Sequence, residues 1–353
     1  MMTKPILLIA AATTIGAAAV ALPGLDLVPD SPPAAEFVEL TGACDASAGL
    51  LLDGRHLVVA DDEDKETITL RVYDLEKTEA KLEGIDATPF LDAKGEEVDL
   101  EGLTVFGSRY VAIGSHSRNK EKVEAPTRHR ILAFTLAPKA PPNQQIATSH
   151  LYSGLLIDAQ KALKALPATS PLSGFLLDNG SAPKDGGLSI EAVSDTATGG
   201  ELLIGLRSPL SPKGKAIVLR LTNAGAVLDS HADPVFAEPI LLDLPAKDGH
   251  AQGLRDLVRD GTGGYLLIAG DVAEGGSFRL WKWSGPGTGS NATPVADIKM
   301  PAEKTSAEAL VLTPDKKAGW ILFDEGERDV AGKACKKAAN KAFHASRIPA
   351  SAF

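Results

Sequence analysis

The chain is 353 residues long, 44% hydrophobic, 23% charged and 5% aromatic, with 34 Gly and 23 Pro. Lys and Arg number 36 against 46 Asp and Glu, a net charge of −10. That excludes a broadly basic nucleic-acid binder, because neutralising phosphates takes clustered cations. The apolar fraction is enough for a packed core, which excludes global disorder, and the length allows one large domain or two ordinary ones.

In chain order, residues 1–21 read as a cleaved secretory signal, with a membrane anchor as the alternative. Lys4 supplies the positive start, residues 5–19 are uncharged and rich in Ile, Leu and Ala, and Ala19-Val20-Ala21 fits the small-x-small cleavage pattern. Residues 22–35, with Pro29-Asp30-Ser31-Pro32-Pro33, read as an extended leader. Export predicts a periplasmic or secreted protein with no membrane span once the signal is removed. The two cysteines, Cys44 and Cys335, then predict one disulfide, the usual outcome of an even count in an exported chain. Leu40-Thr41-Gly42-Ala43-Cys44 has the outline of a lipoprotein box but lies too far from the hydrophobic run to act as one.

Five segments then repeat one pattern: Ser47-Ala48-Gly49-Leu50, Leu100-Glu101-Gly102-Leu103, Ile190-Glu191-Ala192-Val193, Leu254-Arg255-Asp256-Leu257 and Ala307-Glu308-Ala309-Leu310. Each is followed, after a polar turn, by a short apolar run such as Leu57-Val58-Val59-Ala60 or Tyr265-Leu266-Leu267-Ile268. Short apolar runs bounded by Gly, Asp and Asn are strand signals. A third strand with period-two alternation recurs, as in Ala216-Ile217-Val218-Leu219-Arg220-Leu221 and Phe278-Arg279-Leu280-Trp281-Lys282-Trp283. Four units add a weaker fourth strand, near Lys81-Leu82 and over residues 146–152, 239–244 and 294–298. The fifth unit runs out of chain after Ile348, while Glu36-Phe37-Val38-Glu39-Leu40 has no partner of its own. Pairing that N-terminal strand into the last unit closes a ring and removes a long unpaired edge.

The expected fold is therefore an all-β propeller of four-stranded blades, occupying residues 36–353 as a single domain, with five blades and six as the alternative. Ala48, Glu101, Glu191, Arg255 and Glu308 are spaced by 53, 90, 64 and 53 residues. The longest gap carries a helical insertion near 155–187, opened by the amphipathic stretch 157–166 and stopped by Pro167. The disulfide would sit at the ring closure. Low aromatic content argues against the tryptophan-docking type of propeller repeat.

Several of these strings, namely Asp99-Leu100-Glu101-Gly102-Leu103, Ile190-Glu191-Ala192-Val193, Leu202-Leu203-Ile204-Gly205-Leu206-Arg207-Ser208-Pro209, Leu254-Arg255-Asp256-Leu257 and Ser277-Phe278-Arg279-Leu280-Trp281-Lys282-Trp283, resemble a bacterial family known as domain of unknown function 3616. The resemblance implies an exported propeller and supplies no activity. The blade-opening Glu motif is also distantly similar to phytase-like esterase propellers, over one strand per blade, which carries no catalytic residue across.

In a propeller, residues opening the first strand and closing the second converge on the central funnel. Those openings supply Glu101, Glu191, Arg255, Asp256 and Glu308; the closings supply Asp61, Asp62, His116, Arg207, Asp271, Asp324 and Glu325. Converging carboxylates need a cation, a proton or an Arg to be tolerated. One expectation is a Ca²⁺ or Mg²⁺ ion on Glu101, Glu191 and Glu308, with Arg207, Arg255 and Asp256 binding an anionic ligand. The same residues also suit ion pairs that simply neutralise the channel.

His116, just past a strand, is a candidate general base or a backbone-bonded loop residue. The acidic run Asp61-Asp62-Glu63-Asp64 lacks the EF-hand spacing, and Gly261-Thr262-Gly263-Gly264 reads as a hairpin turn with no phosphate-binding helix after it. The lysines of residues 333–341 read as a solvated face. The functional expectation is an exported, monomeric binding or scaffold module holding a small anionic ligand or another exported protein. The alternative is a divalent-metal-dependent hydrolase of phosphate or carboxylate esters.

Overall fold

The computed structural model describes residues 36–61, 68–75, 84–137, 145–273 and 276–353. The predicted signal and leader, the strand near Lys81-Leu82 and the acidic residues Asp62, Glu63 and Asp64 lie outside them.

Five four-stranded antiparallel sheets make a five-bladed β-propeller. The first blade is β2 (Ala48–Leu51), β3 (His56–Ala60), β4 (Thr69–Asp74) and the two-residue β5 (Ile85–Asp86). A short helix α1 (Thr88–Leu91) leads to the second, β6 (Leu100–Phe106), β7 (Arg109–Gly114), β8 (Ile131–Leu136) and β9 (Ile146–Tyr152). After helix α2 (Leu155–Lys164) come β10 (Ser189–Asp195), β11 (Leu202–Ser208), β12 (Ala216–Leu221) and, across helix α3 (Ala224–Ser230), β13 (Phe236–Leu242). The fourth blade is β14 (Gln252–Arg259), β15 (Tyr265–Asp271), β16 (Arg279–Trp283) and β17 (Ala292–Asp297). The fifth begins with β18 (Ser306–Leu312) and β19 (Gly319–Asp324), passes through a small hairpin, β20 (Asp329–Val330) and β21 (Lys333–Ala334), and returns as β22 (Ala342–Arg347).

Its outer strand is β1 (Phe37–Thr41), which pairs antiparallel with β22 through Phe37↔Ser346 and Leu40↔Phe343. The sheet order β1-β22-β19-β18 is the ring closure expected from the unpartnered N-terminal strand. Cys44 and Cys335 form a disulfide beside this seam, with Cα atoms 5.8 Å apart and 291 residues between them in sequence. The 90-residue gap between Glu191 and Glu101 holds no additional blade among the described residues, so the count is five rather than six.

The core lies between the blades. There are five apolar clusters, one at each blade–blade interface. Inner strands are covered on both faces, which is why they read as near-continuous apolar runs, whereas β9, β13 and β17 stay half-exposed. Helices α2 and α3 pack Leu155, Ala159, Leu163, Val227 and Leu228 onto the cluster between the second and third blades. Helix α3 was not expected from the sequence. Its seven residues give the helical period too few turns to stand out, though Ala224, Val227 and Leu228 at i, i+3 and i+4 form its buried face. The innermost strands contact one another in the order β2, β6, β10, β14, β18 and back to β2, so they line one central channel.

Candidate functional site

Four of the five innermost strands carry a β-bulge at the same place. In β6 the pairing steps from Leu100↔Gly114 to Gly102↔Ile113, which puts the bulge at Glu101. The same step leaves Glu191 unpaired in β10, Arg255 in β14 and Glu308 in β18. A bulge bends its strand and re-aims the extra side chain. Simple alternation would send adjacent residues to opposite faces; the bulge is what lets a charged residue turn towards its neighbours while the next position, Gly102, Ala192 or Ala309, stays small. Blade one has no such step, and Ala48 pairs regularly with Ala60. Blade three has a second shift, from Ser189↔Ser208 to Ile190↔Leu206, which leaves Arg207 unpaired opposite Glu191.

These bulges assemble a chain of ion pairs. Arg207 Nη1 donates to Glu191 Oε1 at 3.0 Å, and Ser189 Oγ donates to the same oxygen at 3.2 Å. Glu191 Oε2 lies 3.1 Å from Arg255 Nη1, which donates to Glu308 Oε1 at 2.8 Å. Arg255 Nη2 donates to the carbonyl of Asp271 at 2.9 Å, and its guanidinium lies over the Phe278 ring at 5.3 Å. Arg207 Nε donates to the Val272 carbonyl at 3.1 Å. Glu191, Arg255 and Glu308 are buried, and Arg207 is the more exposed end of the chain.

Burial sets the proton balance. It pushes the Glu308 carboxyl up to about 8, with the nearby negative charges of Glu191 and Asp324 adding to the effect and Arg255 opposing it. Burial also works against the Arg255 charge, but the carboxylates of Glu191 and Glu308 outweigh it and hold the guanidinium protonated. Glu101 adds its field to Arg255 from the second blade.

The structure thus brings together five of the sequence-predicted residues, Glu101, Glu191, Glu308, Arg207 and Arg255, as an arginine-balanced network. The proposed metal set does not fit this arrangement. Guanidinium groups stand between the glutamates and engage both oxygens of Glu191 and one of Glu308. A divalent cation there would face two fixed positive charges. Among the described residues no group of three or more His, Cys, Asp or Glu side chains is arranged to hold a metal ion.

Asp256 is turned elsewhere. Its Oδ1 accepts from the Leu257 N–H at 2.7 Å and its Oδ2 accepts from the Leu310 N–H of the next blade at 2.7 Å. It is a brace between β14 and β18 rather than a ligand group, and burial pushes its carboxyl up to about 7. His116 is also set apart. It is buried with Nδ1 on the Gly114 carbonyl at 2.8 Å, stacked on His129 at 5.4 Å, and burial drives it down to about 3. The charges that act on it are His129 and Arg130, not the glutamates, and its backbone takes a positive φ of 55°.

The remaining strand exits are held by local partners. Asp61 pairs with Arg71, Asp271 with His250 at 2.7 Å, and Glu325 with Arg328 and His344. Asp324 accepts from the Gly326 N–H at 2.7 Å. Sequence reasoning missed Ser189, whose hydroxyl sits on Glu191, and Phe278, which lies under Arg255. It also missed Asp99, which Arg128 meets at 2.8 Å and whose carboxyl burial raises. The paired bulge in blade three left a faint signal, a charged residue on each strand where the run should be apolar.

Fold and channel together define a disulfide-closed five-bladed propeller whose axial channel carries a buried charge network. Residues 45–138 match the model of a family described as "Protein of unknown function (DUF3616)", a span from the first blade into the third strand of the second. No curated protein matches the chain significantly in sequence. Among solved structures, the chain is similar to the major Malassezia sympodialis allergen Mala s 1, with 8% identity over 88% of this chain and 82% of that one and a TM-score of 0.41. It is similar to a luciferin-regenerating enzyme at 9% identity, covering 87% and 92% of the two chains, with a TM-score of 0.40. It is similar to U3-55K at 10% identity, covering 89% and 99%, also with a TM-score of 0.40. The five sheets, not these similarities, establish the architecture.

Proposed function

We propose that the protein is an exported, non-catalytic binding propeller that takes a small anionic ligand, or an anionic group of another exported protein, at the mouth of its central channel through Arg207. One observation carries this reading. Arg255 is locked by two carboxylates and a carbonyl, whereas Arg207 ends the network with Nη2 making no hydrogen bond among the described residues. Arg207 is therefore fixed in place by Glu191 and Val272 and keeps donor capacity, the pre-organised half of a contact to carboxylate or phosphate. The Cys44–Cys335 disulfide supports an oxidising compartment, periplasmic or extracellular. The hydrolase reading needs carboxylates converging on one cation, and the guanidiniums between them weigh against it.

The test is isothermal titration of the oxidised protein with inorganic phosphate and with succinate, beside assays of p-nitrophenyl phosphate and p-nitrophenyl acetate with and without Ca²⁺. The expected result is saturable binding of at least one anion, weakened tenfold or more by Arg207→Ala, and no turnover above buffer. Binding unchanged in Arg207→Ala, or Ca²⁺-dependent turnover abolished by Glu101→Gln, would overturn the proposal.

A further inference from the structure

The opposite end of the channel holds a different kind of cavity. The last residues of the innermost strands enclose about 220 Å³, below the ~300–1,000 Å³ of ordinary small-molecule sites. Leu50, Leu103, Leu257 and Leu310 line it, together with Thr104 and with Asp256, whose two oxygens are taken by the Leu257 and Leu310 N–H groups. Its rim is charged, with Asp195 from β10, Arg259 from β14 and Lys316 from the β18–β19 hairpin.

These charges do not cancel. Arg259 takes both oxygens of Asp195, Nε to Oδ1 at 3.0 Å and Nη2 to Oδ2 at 2.8 Å. That leaves Lys316 with no ion pair of its own among the described residues. The Lys316 backbone is in the left-handed region at φ 58°, with its N–H on the Thr313 carbonyl, and its stem packs on Gly261 of the neighbouring hairpin. Two hairpins from adjacent blades thus hold a half-buried ammonium over the cavity. Burial, reinforced by the like charge of Arg259, lowers its pKa from the ordinary lysine value, so the ammonium gains from an anionic partner.

The geometry points to a second ligand site at this lower mouth, for a small amphiphilic anion whose carboxylate meets Lys316 and Arg259 while its apolar tail fills the leucine-walled channel. The site stands apart from Arg207 and does not depend on the function proposed for the upper mouth. A carboxylate head matches the lysine left over from the Asp195–Arg259 pair, and the leucine side chains reward a hydrocarbon tail.

The experiment uses octanoate as probe and octanamide as its uncharged counterpart, titrated into the oxidised wild type, Lys316→Met and Arg207→Ala, with the methyl NMR signals of Leu103, Leu257 and Leu310 followed. Saturable octanoate binding that moves those methyls is expected. Read at those methyls, it should be at least tenfold tighter than octanamide and tenfold weaker in Lys316→Met, and unchanged in Arg207→Ala. The octanamide comparison and the methyl shifts need no variant, so they stand even if Lys316→Met folds poorly. Absence of saturable binding, equal affinity for octanamide, or binding that leaves the three leucine methyls unmoved would overturn the site.

Discussion

Replacing Glu308 by Gln isolates the proton that the channel keeps. Glu308 has an ordinary value of 4.5 and is raised to about 8 in the fold, chiefly by burial. Between those values the folded protein holds a proton that the unfolded chain has released. Folding is therefore favoured at the acid end of that window and loses stability as pH rises through it. While one proton is released on unfolding, stability falls by ~1.4 kcal/mol per pH unit, and by roughly 3–5 kcal/mol over the whole window. Glu308→Gln keeps the shape and an oxygen to accept from Arg255 Nη1, but titrates nothing. Asp256 contributes a slope of the same sign, and since it is present in both proteins it cancels in the difference. Urea unfolding with the disulfide intact, at half-unit steps from pH 5 to 9, should show the wild type losing stability faster than the variant by ~1–1.4 kcal/mol per unit between about pH 5.5 and 7.5. Parallel curves for the two proteins would refute the upward shift of Glu308 and the burial argued to cause it.

Two further outcomes follow from the ring itself. Reducing Cys44–Cys335, or replacing both by Ser, opens a loop of 291 residues, for which the chain-entropy estimate has an upper value of ~5–6 kcal/mol. A loss of ~2–5 kcal/mol in the urea midpoint analysis is expected, with β1 still able to pair with β22. Gly253→Ala should destabilise by ~1–3 kcal/mol or more, because a Cβ there would lie 1.9 Å from the Arg207 carbonyl oxygen. It should also weaken anion binding at Arg207 by shifting that residue, whereas Gly54→Ala, where a Cβ meets nothing within 4 Å, should leave both unchanged. Thermal melting and the phosphate titration check both variants.

Much of the architecture could be read from the residues because each blade repeats the same burial pattern. Ile146–Tyr152 came out with the very bounds of β9, and the orphan N-terminal strand found its partner in β22 because a ring has one place left for it. What escaped was local backbone geometry. Alternation could not tell which of Arg255 and Asp256 turns to the glutamates. The bulge settles it by leaving Arg255 unpaired and sending Asp256 to backbone N–H groups on β14 and β18. His116 read either as a general base or as a loop residue bonded to backbone, and its contact with the Gly114 carbonyl is the second. Stacking on His129 and a positive φ fold it inward. Lys316 gave no sign at all, being one of two adjacent lysines in a polar turn whose direction is set by the Thr313 hydrogen bond and by contact with Gly261.

The interrupted bulge has a consequence for orientation. Around the channel the equivalent positions read Ala48, Glu101, Glu191, Arg255 and Glu308. A backbone of near five-fold repetition thus carries charges with no rotational symmetry, one blade silent and one inverted. An equal ring of five carboxylates would present the same face at every turn and accept a bound molecule in five equivalent poses. On the binding role proposed above, a guest would meet a marked sector, with its negative end towards Arg207 on one side and the uncharged Ala48 blade elsewhere on the circle. The silent first blade and the inverted fourth give a rotationally repetitive scaffold a compass direction, so that whatever docks there does so in one azimuth.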